Sequence, residues 1–310
     1  MCGIAGIIYR DGDGERAVGR DMTRMLQAMK HRGPDSTGYA LYRGGGGDTF
    51  VIHVKLSEGG EEDPELARRV QRQRDQVEAR MRDAGARIED VRNTPRTMTL
   101  SFGFEGDLKL LADAVERVRH TEVLSLGHSL EIVKDLGDAE TVASEYRLDE
   151  FVGTHAIGHA RMATESDVDI ANAHPYWAYP FPDVAVVHNG QLTNFHDWRR
   201  RLQRAGHRFQ SECDSEIIAV YLAERMSEGR SLEDAMRQSL EDLDGVFTYL
   251  CVTEDSLGVA KDELGAKPLV LYEDDELVAL ASEEIAIRQV LDREIETHDP
   301  YEGEVRVWSR

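Results

Sequence analysis

No apolar run in this 310-residue chain reaches the roughly 20 residues that a bilayer-crossing helix needs. The N-terminus, MCGIAGIIYRDGDGE, lacks a basic leader, and its short apolar stretch meets acidic residues at once, so no secretory signal is expected. Cysteine is scarce. Cys2, Cys213 and Cys251 are too few to staple a secreted disulfide fold, and a functional cysteine is expected to work in a reducing cytoplasm. Nor do they suffice for an iron–sulfur cluster, and no cofactor is expected in the chain itself. Positive charge is also short. With 59 acidic residues against 37 Lys and Arg the formal charge is −22, which argues against a nucleic-acid groove or a docking face for anionic membranes. Finally, Gly44 to Gly47 lack the Lys-Ser/Thr of a phosphate loop. His155, His159, His174 and His188 come without HExxH or CxxC spacing, so no metal site is expected.

What remains is an ordinary soluble composition, 41% hydrophobic and 31% charged. Residues 4–9 read as a strand, and residues 21–30 as an amphipathic helix with Met22, Met25, Leu26 and Met29 on one stripe. A strand over 38–42 follows a Gly-Pro turn. The charged stretch 61–90 reads as an exposed helix, 97–103 as a strand, 108–119 as a helix, and about 59–149 as a peripheral insertion. Strands are expected at 154–160, at 184–190 ending in an Asn-Gly turn, and at 245–252, 256–261, 269–272 and 277–282. Helices are expected near 194, with Thr193 as cap, and over 215–228 and 231–241. Strand pairs flanked by helices indicate a layered α+β domain with antiparallel sheets.

The most informative residue is Cys2. Methionine is removed readily before a small residue, so Cys2 is expected at the mature terminus. There one residue offers a thiol nucleophile and an α-amine of pKa about 7.7–8.0, suited to moving protons. Taken alone, a small apolar second residue explains it equally well.

The order of the motifs narrows this. MCGIAG, HRGPDSTG (31–38), GHARMAT (158–164), HNG (188–190), CDSE (213–216) and KDELGAKPL (261–269) together resemble the glutaminase domain of class II glutamine amidotransferases, which are N-terminal-nucleophile hydrolases. The resemblance spans nearly the whole chain and is weakest at about 59–149. It implies a four-layer αββα fold with two stacked antiparallel sheets. It also implies Cys2 as nucleophile, with Asn189 and Gly190 as oxyanion hole. Arg161 would bind the α-carboxylate of glutamine and Asp214 its α-ammonium. His31, Arg32 and Asp35 would order the pocket. Each has a plainer reading: Asn-Gly as a turn, Arg161 as a surface residue at a strand end, Asp214 as a helix cap. Cys213, at a helix start, is the rival nucleophile, and Cys251 is expected in the core.

The expected reaction is hydrolysis of L-glutamine to glutamate and ammonia through a thioester. Because the chain ends at Arg310, a stand-alone glutaminase subunit is expected. GHARMATESDVDIANAHPY with HNGQLTN is most similar to subunits of glutamate-synthase-like complexes, including the N-methylglutamate synthase type. Their partner subunits carry flavin and iron–sulfur centres. The alternatives are an autonomous amidohydrolase acting on another amide and a non-catalytic regulatory subunit.

Overall fold

The computed structural model describes residues 2–10, 16–44, 47–56, 64–162 and 170–310. The chain opens with β1 (Gly3–Tyr9), α1 (Val18–Ala28), β2 (Ser36–Tyr42) and β3 (Thr49–Lys55). There follow α2 (Pro64–Asp83), β4 (Arg87–Asn93), β5 (Thr97–Gly103), α3 (Leu108–Glu116), β6 (Glu122–Gly127), β7 (Leu130–Leu136) and α4 (Ala139–Tyr146). Next come β8 (His155–Arg161), β9 (Tyr176–Trp177), β10 (Ala185–Leu192), α5 (Phe195–Arg204), α6 (Asp214–Ser227) and α7 (Leu232–Asp242). The last part holds β11 (Gly245–Val252), β12 (Ser256–Lys261), β13 (Val270–Glu273), β14 (Leu277–Ala281), α8 (Glu284–Ile287) and β15 (Val305–Ser309).

The first sheet has the strand order β13-β14-β1-β8-β2-β7 and the second β15-β12-β11-β10-β9, all antiparallel. The side chains of β1 explain why it reads as a continuous apolar run. Ile4 and Ile8 face the second sheet, where Val187, Leu250 and Val259 meet them. Ala5 and Ile7 face the other way, onto Met22, Met25 and Leu26 of α1. With both faces covered, the period-two alternation of a half-buried strand disappears. Each such side chain contributes roughly 1.5–3 kcal/mol by leaving water. Helices α1, α4 and α8 cover the outer face of the first sheet, and α6 and α7 that of the second. The packing sequence is therefore helices, sheet, sheet, helices.

A third, four-stranded sheet, β4-β5-β3-β6, corrects the expectation of two sheets. It packs Ile52, Val54 and Leu100 with Val77 of α2 and Val115 of α3 into a core continuous with that between the main sheets. Of the stretch 59–149, α2 to β6 build this unit together with β3. Strand β7 instead pairs with β2, and α4 packs on the first sheet. Residues 57–63, and Gly45 and Gly46 of the glycine run, lie outside the described residues.

The helix expected over 61–90 ends early. Gly85, at φ +96°, takes the left-handed position that terminates α2, with Ala86 N–H donating to Met81 O at 2.9 Å and Gly85 N–H to Arg82 O at 2.9 Å. The chain then turns into β4, whose residues RIEDVRN are mostly exposed and whose charges gave no strand signal. The Asn-Gly turn at 189–190 is not a turn either, because β10 runs through it, paired with Thr248 and Phe247 of β11. Thr193 does not cap α5. Its hydroxyl donates to Asp244, and Asn194 stands at the cap position.

Candidate active site

Cys2 lies at the start of β1, beside the end of β8, where Gly3 pairs with Ala160. Ser282 fixes that end of the strand, its hydroxyl accepting from Ile4 N–H at 3.0 Å. The Cys2 thiol is partly exposed and meets Met162 O at 3.8 Å. It opens into a pocket of about 700 Å³ whose wall also includes Arg161, Asn189, Gly190 and Asp214. Five residues expected to act together thus line one cavity, although they come from the start of β1, the end of β8, the body of β10 and the start of α6, far apart in sequence.

The HRGPDS loop stands behind this pocket rather than on its wall. Arg32 Nη1 donates to Cys2 O at 3.4 Å, and Arg32 and His31 both pair with Glu283, His31 at 3.0 Å. Burial alone would raise the Glu283 carboxyl, but hydrogen bonds from Arg32 and His31 hold it below its ordinary value. Asp35 N–H donates to Arg161 O at 3.1 Å, which ties the loop to the end of β8. Gly33 makes the crossing possible, since a Cβ there would lie 2.4 Å from the carbonyl carbon of Arg161.

Arg161 is 8% exposed, not the surface residue of its plainer reading. Asp214 is the first residue of α6, with Cys213 at the cap position, so it is not the helix cap. Its Oδ2 accepts from Leu192 N–H at 2.8 Å and its Oδ1 from the Ser215 hydroxyl at 3.2 Å. Ser215 Oγ in turn lies 2.7 Å from His188 Nδ1. The carboxylate is thereby held at the pocket wall by donors that, among the described residues, are neutral.

Asn189 Nδ2 donates to Cys2 O at 3.1 Å. An amide nitrogen carries two hydrogens, so one remains for a ligand oxygen beside Cys2. Gly190 has φ +149°, and a Cβ there would lie 2.1 Å from Val246 O and 2.6 Å from Phe247 Cα. No side chain fits where β10 and β11 approach so closely.

Three histidines also line the cavity, and motif reading missed them as a group. His159 stacks on His174 with ring centroids 4.1 Å apart, and His188 meets His174 edge-on at 6.4 Å. Burial drives His159 down to about 3, His174 well below its ordinary value and His188 in the same direction, so all three are neutral at pH 7. The signal was present, since each stands inside a quoted motif, but metal spacing was the wrong test to apply to them. Among the described residues no group of His, Cys, Asp and Glu is arranged to hold a metal.

Cys213 lines the same pocket but is not activated. Burial pushes its thiol up, the neighbouring Asp214 adds to the shift, and contacts with Ser215 and Tyr176 offset only part of it. Cys251 is fully buried, as expected.

Residues 159–289 match the family model of the glutamine amidotransferase domain. A putative glutamine amidotransferase of Methanothermobacter thermautotrophicus is 42% identical over 315 residues, covering 99% of this chain and 99% of that protein. The chain belongs to the class II glutamine amidotransferases. Glutaminase activity comes with that membership. The glutamine amidotransferase-like protein GlxB of Rhizobium meliloti is 33% identical across 95% of this amidotransferase and 93% of its own length. Among solved structures, the glutamine phosphoribosylpyrophosphate amidotransferase of B. subtilis superposes with a TM-score of 0.61 at 20% identity, over 99% of this chain and 47% of that one. That likeness establishes the shared fold. The chain spans about half the length of that larger protein. Among the described residues no helix is long and apolar enough to cross a membrane.

Proposed function

We propose that Cys2, freed as the N-terminal residue by loss of Met1, is the nucleophile that hydrolyses L-glutamine. The observation that carries this reading is the convergence of Cys2, Arg161, Asn189 and Asp214 on one cavity of about 700 Å³. Arg161 receives the α-carboxylate of glutamine through two parallel N–H donors, and Asp214 receives the α-ammonium. The side-chain amide then lies at Cys2. The thiolate attacks its carbonyl carbon, and the oxygen that becomes negative is held by the free Asn189 N–H and the Gly190 backbone N–H. The carbon–nitrogen bond breaks as nitrogen takes a proton from the α-ammonium of Cys2, and ammonia leaves. Water attacks the γ-glutamyl thioester, releasing glutamate and restoring the thiol. Arg32, which donates to Cys2 O, and His31, which shares Glu283 with it, position the nucleophile. Asp35 fixes the end of the strand that carries Arg161.

We further propose that the ammonia is consumed by a partner subunit of a glutamate-synthase-like complex, with flavin and iron–sulfur centres in the partners and none in this chain. The run GHARMATESDVDIANAHPY with HNGQLTN supports this assignment, although residues 163–169 of it lie outside the described residues. Mass spectrometry of the N-terminus, combined with a glutaminase assay on the purified chain and on its co-purified complex, tests both parts. An intact Met1 on fully active protein would sink the N-terminal mechanism, and absence of any redox partner in the complex would sink the second part.

A further inference from the structure

The third sheet has an unusual second face. Its inner face packs Ile52, Val54 and Leu100 against helices, whereas the alternate residues His53, Thr97, Thr99 and Arg92 turn toward the main body. An interface that served only to attach this sheet would be apolar. Here the polar face borders a cleft of about 500 Å³, closed on the far side by Glu131 of β7, Arg43 and the corner after α4. None of its lining residues lines the Cys2 pocket.

The floor of the cleft is built of buried polar groups. His53 is 1% exposed, and among the described residues neither ring nitrogen has a hydrogen-bond partner. Burial drives it toward the neutral form, although Glu131 and a weak contact with the Ile132 backbone pull the other way. Glu131 is 7% exposed and accepts from Arg92 Nη2 at 2.9 Å and Arg43 Nη2 at 3.4 Å. Burial would raise its carboxyl, but His53, Arg92 and Arg43 reverse this and keep it ionised. Among the described residues Glu131 is the only hydrogen-bond acceptor that either guanidinium reaches, so most of their N–H groups are free for a ligand. Around the cleft three guanidinium groups, Arg43, Arg92 and Arg147, stand against two carboxylates, Glu131 and Glu150. One positive charge is in excess, beside one deep anion.

We propose that this cleft binds a free α-amino acid, its carboxylate on Arg92 and Arg43, its ammonium on Glu131, and a polar side chain against His53 and Thr99. A phosphate dianion fits the charges less well, because it would face Glu131 with only one uncompensated cation. The zwitterion leaves the net charge of the cleft unchanged, with its carboxylate on the two guanidinium groups and its ammonium on Glu131 Oε1, the oxygen to which neither of them donates.

Thermal melting of the full chain against each of the twenty L-amino acids and inorganic phosphate, followed by titration calorimetry of the best ligand, tests this. Three proteins are compared: wild type, Arg92→Ala and Arg161→Ala. At least one amino acid is expected to raise Tm in wild type and equally in Arg161→Ala, where the glutamine pocket is disabled. In Arg92→Ala its affinity is expected to drop about tenfold or more through the lost charge-assisted bonds. Arg92 is about half exposed but pairs with the buried Glu131, so melting and circular dichroism of the ligand-free Arg92→Ala protein check its fold, and Thr99→Val, which leaves the Arg92–Glu131 pair intact, is expected to give a second, milder reduction. The proposal is overturned if no amino acid raises Tm. It is equally overturned if the shift disappears in Arg161→Ala but survives in Arg92→Ala, or if phosphate binds more tightly than any amino acid.

Discussion

Leu192 N–H donates to Asp214 Oδ2 over 2.8 Å, joining the end of β10 to the first turn of α6. The same strand brings Asn189 to Cys2, so one backbone-to-carboxylate hydrogen bond couples the end of the pocket proposed to hold the ammonium to the end proposed to react. If Arg161 and Asp214 clamp the two charged ends of glutamine, Arg161→Lys removes a bidentate contact that a point charge does not replace. The expected cost is about 1.5–3 kcal/mol, a tenfold to hundredfold fall in kcat/KM. Asp214→Asn keeps the size and loses the charge, with a similar fall. N-acetylglutamine and glutaminamide, each lacking one charged end, are expected to be poor substrates of the wild type. Steady-state kinetics decide the matter, and rapid turnover of both blocked analogues would remove the clamp.

A finer test lies one step behind the clamp. Ser215 Oγ bridges His188 Nδ1 and Asp214 Oδ1. Ser215→Ala leaves the carboxylate charged but less well fixed; a hydrogen bond to a charged group is worth about 1.5–3 kcal/mol, and loosening one of the carboxylate's two fixing bonds loses only part of that, about 1 kcal/mol. KM for glutamine is therefore expected to rise about fivefold while kcat changes little. A fall in kcat at constant KM would place Ser215 in the chemical step instead.

Cys2 and Cys213 share a pocket, yet only one is expected to be needed. Cys2→Ala and Cys2→Ser should nearly abolish glutamine hydrolysis, because thiol and α-amine are lost or separated as a pair. Cys213→Ala should keep most of it, since burial and Asp214 disfavour the Cys213 thiolate. A glutamine-analogue electrophile should add its mass to the peptide that begins at Cys2. Label on Cys213 would reverse the assignment.

The difference between what could and could not be read beforehand follows from where each constraint acts. Strands β1, β8 and β10 were legible because both faces are buried or because a motif ends them. The helix stripe of Met22, Met25 and Leu26 was legible for the same reason of local periodicity. β4 was not, since an exposed strand of alternating charges leaves no hydrophobic period, and Gly85 was the one available stop signal. Asn189-Gly190 misled, because the dipeptide that favours hairpin turns also suits a strand squeezed against its neighbour. The histidine stack depends on β8, the segment before β9, and β10 meeting in space, which spacing along the chain does not encode.

The buried histidines are expected to set an acid limit on the fold. Burial lowers His155 to about 4 and His159 to about 3, and it lowers His174 well below its ordinary value, whereas in the unfolded chain each titrates near 6.5. Below pH about 6.5 the unfolded state binds more protons, so stability falls as acid is added, by up to about 1.4 kcal/mol per pH unit per histidine. Glu216, raised by burial, opposes this in part. Tm should decline steadily from pH about 6.5 to about 4.5. His174→Phe, which sacrifices no hydrogen bond among the described residues and keeps a ring on His159, should flatten that decline. An unchanged slope in the variant would show that other groups govern acid unfolding.

Gly190 offers the sharpest link between backbone and activity. A Cβ at this position would sit 2.1 Å from Val246 O and 2.6 Å from Phe247 Cα, both backbone atoms of the paired strand β11. Backbone in a sheet cannot swing aside as a side-chain tip does, so Gly190→Ala must push β10 outward. That shift moves the Gly190 N–H and the Asn189 amide, the two donors proposed for the oxyanion, away from Cys2. Loss of one such donor costs about a hundredfold to a thousandfold in kcat, and a fall of at least that order is expected. Gly206→Ala is the control. It also has a positive φ, +99°, but no heavy atom lies within 4 Å of its would-be Cβ. It should lose about 1 kcal/mol of stability from the left-handed backbone alone and keep its kcat. Circular dichroism and melting separate misfolding from a displaced site. Wild-type kcat in a folded Gly190→Ala variant would show that β10 does not supply the oxyanion hole.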